Sequence, residues 1–139
     1  MSKLKNKIEA KRGLLALTVI TASLMTTVAS AGVVDLSWDA KGMFAHEAEI
    51  KAGGALEVCG KLPKNLSFDW HFKSTQALEM NIHFHEGEKL SVPVERPAAL
   101  ALNERFQTKL SKDYCWMWTN RTAQVAQIQI GITKIKPKR

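Results

Sequence analysis

The feature that most constrains this chain is a strict alternation of apolar and polar residues, repeated in several short segments. Phe68, Trp70 and Phe72 alternate with polar neighbours, and residues 79–85 repeat the pattern. A period of two places the apolar side chains on one face of a β-strand. Similar segments, bounded by turn-forming residues, lie at residues 33–38, 44–50, 56–59, 114–119 and 128–133. Short strands at this spacing predict an all-β fold, an antiparallel β-sandwich of about seven or eight strands.

Two stretches between the regular segments are harder to interpret. The polar residues 74–76 predict a turn, so that residues 66–73 and 78–85 would form a hairpin. Residues 88–113 alternate poorly, and Pro93 and Pro97 exclude a central strand there because proline has no backbone N–H to donate.

The N-terminus has the three parts of a secretory signal peptide. Residues 1–12 carry five basic side chains, residues 14–28 are apolar, and the small residues 29–31 suit a signal peptidase that cleaves after Ala31. The apolar run is shorter than the roughly 20 residues of a membrane-spanning helix. The sequence therefore predicts a signal peptide over residues 1–31 and a periplasmic or secreted protein. The alternative is an uncleaved N-terminal anchor.

The strongly basic charge of the chain belongs mostly to its two ends. The 139 residues carry a net charge of +7, but the predicted signal peptide accounts for +4 of it. Residues 134–139 form a basic C-terminal tail with four further positive charges, which leaves the predicted domain, residues 32–133, at −1. A nucleic-acid-binding domain needs a basic face, so this partner class is not predicted. No transmembrane segment is predicted in the mature chain.

Cys59 and Cys115 are the only cysteines, and both follow the predicted signal peptide. In an oxidising compartment an isolated pair most simply forms one disulfide. The alternative is a pair of metal-binding or redox-active thiols, although the two residues do not form a C-x-x-C motif.

Several aromatic strands together resemble the GOLD domain, a β-sandwich of early-secretory-pathway cargo receptors and some lipid-transfer proteins. The matching positions are Gly54, Leu56, Val58, Trp70, Phe72, Ile82, Phe84, Tyr114, Trp118 and Asn120. They span about residues 43–133, and Asn81 stands where the family usually has Asp. The resemblance implies a fold and no chemistry. The chain is expected to be a stand-alone exported relative, bacterial in type, without the receptors' transmembrane helix.

Among these positions Asn120 has the most specific expected role. It follows an aromatic strand, where Asn is typical of a turn with an unusual backbone conformation.

Histidines supply a second candidate metal site. In the predicted hairpin, His71 would face Asn81 and Asp69 would face His83, with His85 on the same outward surface. These three histidines, with Asp69 or Glu86, form a ligand set suited to Zn²⁺ or Cu²⁺. The alternative is a solvated sheet face on which the same side chains only make cross-strand pairs. No other cofactor is predicted.

No enzyme signature is present: the chain has no G-x-S-x-G, H-E-x-x-H or P-loop motif and no suggestive carboxylate pair. The sequence therefore predicts an exported, non-enzymatic binding module whose ligand is a protein or a small molecule. The alternative is a periplasmic metal-binding protein that uses the histidine-rich hairpin.

Overall fold

The computed structural model describes residues 31–136, and this part of the chain is all-β. Within it the chain forms no helix of the length and apolar character that a membrane crossing requires. The predicted signal peptide lies outside the described residues, apart from Ala31. The strands are β1 (Ala31–Asp35), β2 (Met43–Ile50), β3 (Ala55–Leu62), β4 (Ser67–Glu86), β5 (Lys89–Gln107), β6 (Lys112–Thr119) and β7 (Ala126–Ile135).

The seven strands form one sheet that curls into two packed layers, which confirms the predicted sandwich. The strand order is β1-β3-β6-β4-β7-β2, with β5 beside β4. Residues 67–74 of β4 pair with β7, whereas residues 79–84 pair with β6. We call β2, β7 and the first half of β4 the β7 layer. The β6 layer contains β1, β3, β6 and the second half of β4. Within residues 31–136, β1 and β3 are the one parallel pair.

The predicted hairpin between residues 66–73 and 78–85 is wrong, because both segments belong to the single strand β4. Residues 74–76, predicted as a turn, lie where β4 bends from one layer to the other. There its pairing with β5 shifts register. The Thr75 hydroxyl accepts a hydrogen bond from the Gln127 amide at 2.9 Å. Polar side chains at a bend can thus bond to the backbone without the chain reversing direction.

The irregular stretch after β4 is a strand as well. Strand β5 turns back from β4 at Gly87, whose φ of 61° suits glycine, and follows β4 through its bend. It pairs with no other strand among the described residues. Pro93 and Pro97 therefore lie on an edge strand, in agreement with the prediction that they are excluded from a central one.

Aromatic side chains from the two layers meet in the core. The rings of Phe68 and Trp116 lie 5.9 Å apart and those of Phe72 and Trp118 lie 6.0 Å apart, both edge to face. Such pairs contribute about 0.5–1.5 kcal/mol beyond the burial of their area. The signature residues of the resemblance are all buried: Trp70, Phe72, Phe84, Tyr114, Trp118 and Asn120.

Asn120 acts through its side chain and not through an unusual backbone conformation. Its amide nitrogen donates to the carbonyls of Ile50 at 3.0 Å and Gln124 at 2.7 Å. Its amide oxygen accepts from the Thr122 amide at 3.0 Å. Its φ is not positive, since Asn65 is the one non-glycine residue described with a positive φ. Asn120 thereby joins the end of β6 to the end of β2 in the other layer.

The last strand enters the predicted basic tail. Strand β7 continues to Ile135, two residues past the expected domain end. Lys134 contributes to packing, because its Nζ lies 4.4 Å from the centre of the Trp38 ring. A cation in this position is attracted by the negative face of the indole.

Candidate functional site

The outer face of the β6 layer brings three chemically active side chains into one row. Cys59 on β3 lies directly opposite Cys115 on β6, and Cys115 lies opposite His83 on β4. The two sulfurs are bonded, as the sequence predicted. Neighbouring strands are about 4.8 Å apart, so residues in register across three strands form a continuous row.

Glu57 completes this cluster. It lies two residues before Cys59 and therefore projects from the same face. Its Oε2 is 3.7 Å from the Cys59 sulfur. Glu57, His83 and Cys115 each offer one potential ligand atom, and these three atoms lie within 4.8 Å of one another. We call Glu57, Cys59, His83 and Cys115 the disulfide cluster.

His83 is held in one orientation inside the cluster. It is only 5% exposed although it lies on the outer face. Its Nδ1 is 2.7 Å from Asn81 Oδ1, and the tautomer that makes this contact a hydrogen bond has the proton on Nδ1 and a lone pair on Nε2. Burial lowers the pKa of His83 below its usual 6.5, opposed by the Glu57 carboxylate and reinforced by His85. The neutral imidazole, the form that binds metals, is thereby favoured.

The structure does not assemble the predicted metal site of five residues. His83 and His85 are neighbours, with ring centres 5.4 Å apart. His71, however, lies opposite Gly131 on β7, in the other layer. Asp69 pairs with Arg105 at 2.9 Å, and Glu86 pairs with Lys112 at 2.9 Å.

The physical reason is the absence of a chain reversal in β4. A hairpin would have placed its two outward faces side by side. A strand that bends from one layer to the other turns those faces away from each other, because both layers direct their apolar faces into the same core.

Sequence reasoning missed Glu57 and Asn81. The sequence spacing contains part of the missing information, because residues two apart on a strand share a face. Glu57 and Cys59 have that spacing, as do Asn81 and His83. The pairing of β3 with β6 and of β6 with β4 was also needed, and no local pattern determines which strands become neighbours.

A second feature, an apolar groove, opens along the edge strand β5. It is lined by Phe84 and Phe106, which are 8% and 7% exposed, above the buried ring of Tyr114, which lies 5.1 and 5.5 Å from the other two. Val92 and Leu110 on its lips are 43% and 46% exposed. The space has a volume of about 670 Å³. We call it the β5 groove.

The loop that carries one lip of the groove is fixed to the preceding loop. The buried Thr108 hydroxyl donates to the Pro63 carbonyl at 2.7 Å and accepts from the Leu66 amide at 3.0 Å. The Ser111 hydroxyl accepts from the Lys64 amide at 3.0 Å. These long-range bonds hold the loop with Leu110 in place, so this side of the groove is preformed.

Comparison with known proteins identifies the fold of this chain but not a family to which it belongs. No family model matches the chain, and no curated protein matches its sequence. Solved structures do match. The PliG protein of Aeromonas hydrophila, described as a periplasmic inhibitor of g-type lysozyme, has a TM-score of 0.61 at 7% identity. The match covers 78% of this chain and 100% of that one.

Two further structures show the same architecture. PliG of Salmonella Typhimurium, a periplasmic g-type lysozyme inhibitor, has a TM-score of 0.56 at 10% identity and covers 76% of this chain and 100% of its own. The pre-peptidase C-terminal domain of a Bacillus anthracis collagenase has a TM-score of 0.54 at 8% identity, covering 77% and 98%. At these identities the likeness shows a shared β-sandwich-like fold. The comparisons identify no GOLD domain.

Proposed function

We propose that this chain is an exported, non-catalytic β-sandwich that binds a protein partner through the β5 groove. The observation that carries the proposal is the groove itself, an aromatic floor with exposed apolar lips. Apolar side chains arranged in this way are typical of sites that receive an anchor residue from a partner. The rim carries Lys109, which would favour an acidic residue beside that anchor.

Export is supported by two independent features. The N-terminal residues have the pattern of a signal peptide. The Cys59–Cys115 disulfide is of the kind that persists in oxidising compartments. We therefore assign the protein to the periplasm or the secreted fraction. The structures named periplasmic in the comparison are consistent with this assignment. A GOLD-like ancestry remains part of the proposal and rests on the aromatic positions alone.

The first partner class to test is a g-type lysozyme. Two of the compared structures are inhibitors of that enzyme and share this fold over their whole length. A binding module that occludes an active site needs a preformed surface and no catalytic groups. The β5 groove meets this requirement because hydrogen bonds fix one side of it.

The experiment measures binding and inhibition together. The exported protein is titrated against g-type lysozyme by calorimetry and in a cell-wall lysis assay, with c-type lysozyme as the comparison enzyme. Val92→Asp and Leu110→Asp place charges on the lips and should weaken binding at least about tenfold each, the usual effect of disrupting a hot spot. The matched control is Val33→Asp, on the exposed strand β1.

Two outcomes separate the parts of the proposal. If the g-type lysozyme does not bind, the lysozyme assignment is refuted. If a lysozyme binds but both lip variants bind as tightly as the wild type, the β5 groove is not the binding site. Inhibition that is lost in the lip variants and kept in Val33→Asp supports both parts.

A further inference from the structure

The disulfide cluster contains four side chains that could bind a metal ion, but two of them are cysteines joined in a disulfide. A sulfur in a disulfide is a poor ligand, so the oxidised cluster offers only the Glu57 carboxylate and the His83 imidazole. Reduction would add two thiolates at the centre of the same cluster. Two cysteines, one histidine and one carboxylate are a ligand set that zinc binds in proteins.

We propose that reduction of the Cys59–Cys115 disulfide creates a zinc site formed by Cys59, Cys115, His83 and Glu57. The disulfide prevents the two sulfurs from binding zinc. The oxidised protein therefore binds zinc weakly, and the reduced protein binds it tightly. The site differs from the histidine-rich site predicted from the sequence, because it excludes His71, Asp69 and Glu86. It is also independent of the proposed protein-binding function.

The chemistry of the switch is balanced with a dithiol as the reductant. The dithiol transfers two electrons and two protons to the Cys59–Cys115 bond, which gives two thiols and leaves the reductant as a disulfide. Zinc then binds the two sulfurs as thiolates and releases their two protons to solvent. Reoxidation reverses these steps and expels the metal.

Zinc binding requires the two bonded sulfurs to move apart and the remaining ligand atoms to move slightly closer together. Ligand atoms around a tetrahedral zinc ion lie roughly 3.3–3.8 Å apart, given bond lengths of 2.0–2.3 Å. The Glu57 oxygen is already 3.7 Å from the Cys59 sulfur. The atoms of Glu57, His83 and Cys115 lie within 4.8 Å of one another. Because the three strands are held in register by their backbone pairing, we expect the backbone positions of the cluster to be kept when the sulfur–sulfur bond opens.

A supporting contact prepares His83 for this role. Asn81 Oδ1 accepts a hydrogen bond from Nδ1–H at 2.7 Å, which fixes the ring orientation and leaves the Nε2 lone pair available. Histidines that bind zinc commonly have such a partner on their second nitrogen.

The test compares metal binding by the oxidised and reduced exported protein. Zn²⁺ affinity is measured by competition with a chromophoric chelator, after reduction with an immobilised dithiol. Co²⁺ replaces zinc in a parallel titration, because thiolate–cobalt charge-transfer absorption reports directly on sulfur ligation. We expect reduction to increase the affinity for zinc at least about 100-fold, because it adds two thiolates, which are strong zinc ligands.

Variants distinguish this site from nonspecific binding by free thiols. His83→Ala should lower the zinc affinity of the reduced protein by about 10–100-fold or more, the range found even for supporting residues of metal sites. Glu57→Gln should lower it less. His71→Ala is the matched control, since His71 lies on the other layer, and it should have no effect.

Circular dichroism on the same samples shows whether the sandwich persists. Zinc affinity that does not change on reduction would refute the proposal. So would a reduced His83→Ala protein that binds zinc as tightly as the reduced wild type. A reduced wild type that loses its β-structure and does not recover it with zinc would also refute it, because any binding would then come from an unfolded chain.

Discussion

The outer faces of the two layers share the strand β4 but are built in different ways. In the β7 layer the outward side chains are exposed: Asp69 pairs with Arg105, and His71 lies over Gly131. In the β6 layer the outward His83 is buried beside a disulfide. Both halves of β4 have the same alternation. The neighbouring strands therefore decide whether an outward histidine is a solvated surface residue or part of a buried cluster.

The largest effect should come from removing the disulfide, which only the β6 layer contains. The double variant Cys59→Ser, Cys115→Ser opens a covalent loop with a sequence separation of 56 residues. The free energy of unfolding should fall by about 4 kcal/mol, because the unfolded chain regains the entropy that the cross-link removes.

Thermal unfolding in the presence of a chelator measures this loss. The melting temperature should fall by roughly 15–30 °C for a domain of this size. Asp69→Asn, which breaks the exposed ion pair of the β7 layer, is the control and should change stability little. A loss below about 1 kcal/mol in the double cysteine variant would show that the unfolded chain is already restricted without the cross-link.

An intermediate effect is expected where His71 covers Gly131 in the β7 layer. A Cβ atom at residue 131 would collide with the His71 ring. Gly131→Ala should therefore lower the free energy of unfolding by about 1 kcal/mol through overpacking.

The effect of Gly131→Ala on the free energy of unfolding should change once the His71 ring is removed. In a His71→Ala background, Gly131→Ala should be neutral or stabilise by up to about 1 kcal/mol, since alanine loses less backbone entropy in a strand than glycine. A double-mutant cycle by urea unfolding measures this coupling. Equal effects of Gly131→Ala in both backgrounds would mean that His71 is free to move aside.

The smallest effect should be the pH dependence that His83 gives to the free energy of unfolding. Burial lowers the pKa of His83 in the folded protein below the 6.5 of the unfolded chain. Between these two values the unfolded chain binds more protons, so stability falls as the pH drops below 6.5. His83→Gln should remove this contribution and flatten the curve.

Urea unfolding at a series of pH values from 7.5 to about 5 tests this sign. If the His83→Gln curve runs parallel to that of the wild type, the His83 imidazole gains a proton as readily in the folded protein as in the unfolded chain.

The sandwich could be predicted from the sequence because the alternation within each short segment is enough to identify a strand and its buried face. The alternation around Trp70, Ile82, Trp116 and Ile130 identifies each inward face without knowledge of the neighbouring strand. The pairing of the cysteines was also accessible, since two cysteines in an exported chain leave one possible disulfide. The predicted strands end within a few residues of the observed ones at β2, β6 and β7.

The candidate site could not be predicted in the same way, because it depends on strand neighbours. Residues 74–76 have the composition of a turn, but there the backbone bends without reversing. That difference places His71 and His83 in separate layers. Asn120 gives a similar lesson: its position after β6 was visible, whereas the carbonyls that it binds come from the distant Ile50 and Lys51.

The long hairpin of β4 and β5 has a consequence for how the protein loses its structure. Because β4 runs through both layers, with β5 paired along it, neither layer has a boundary at which it can detach. Opening the β7 layer removes partners from the strand that the β6 layer needs. The domain is therefore expected to unfold as one cooperative unit, without a half-folded state that would expose a single apolar sheet to aggregation.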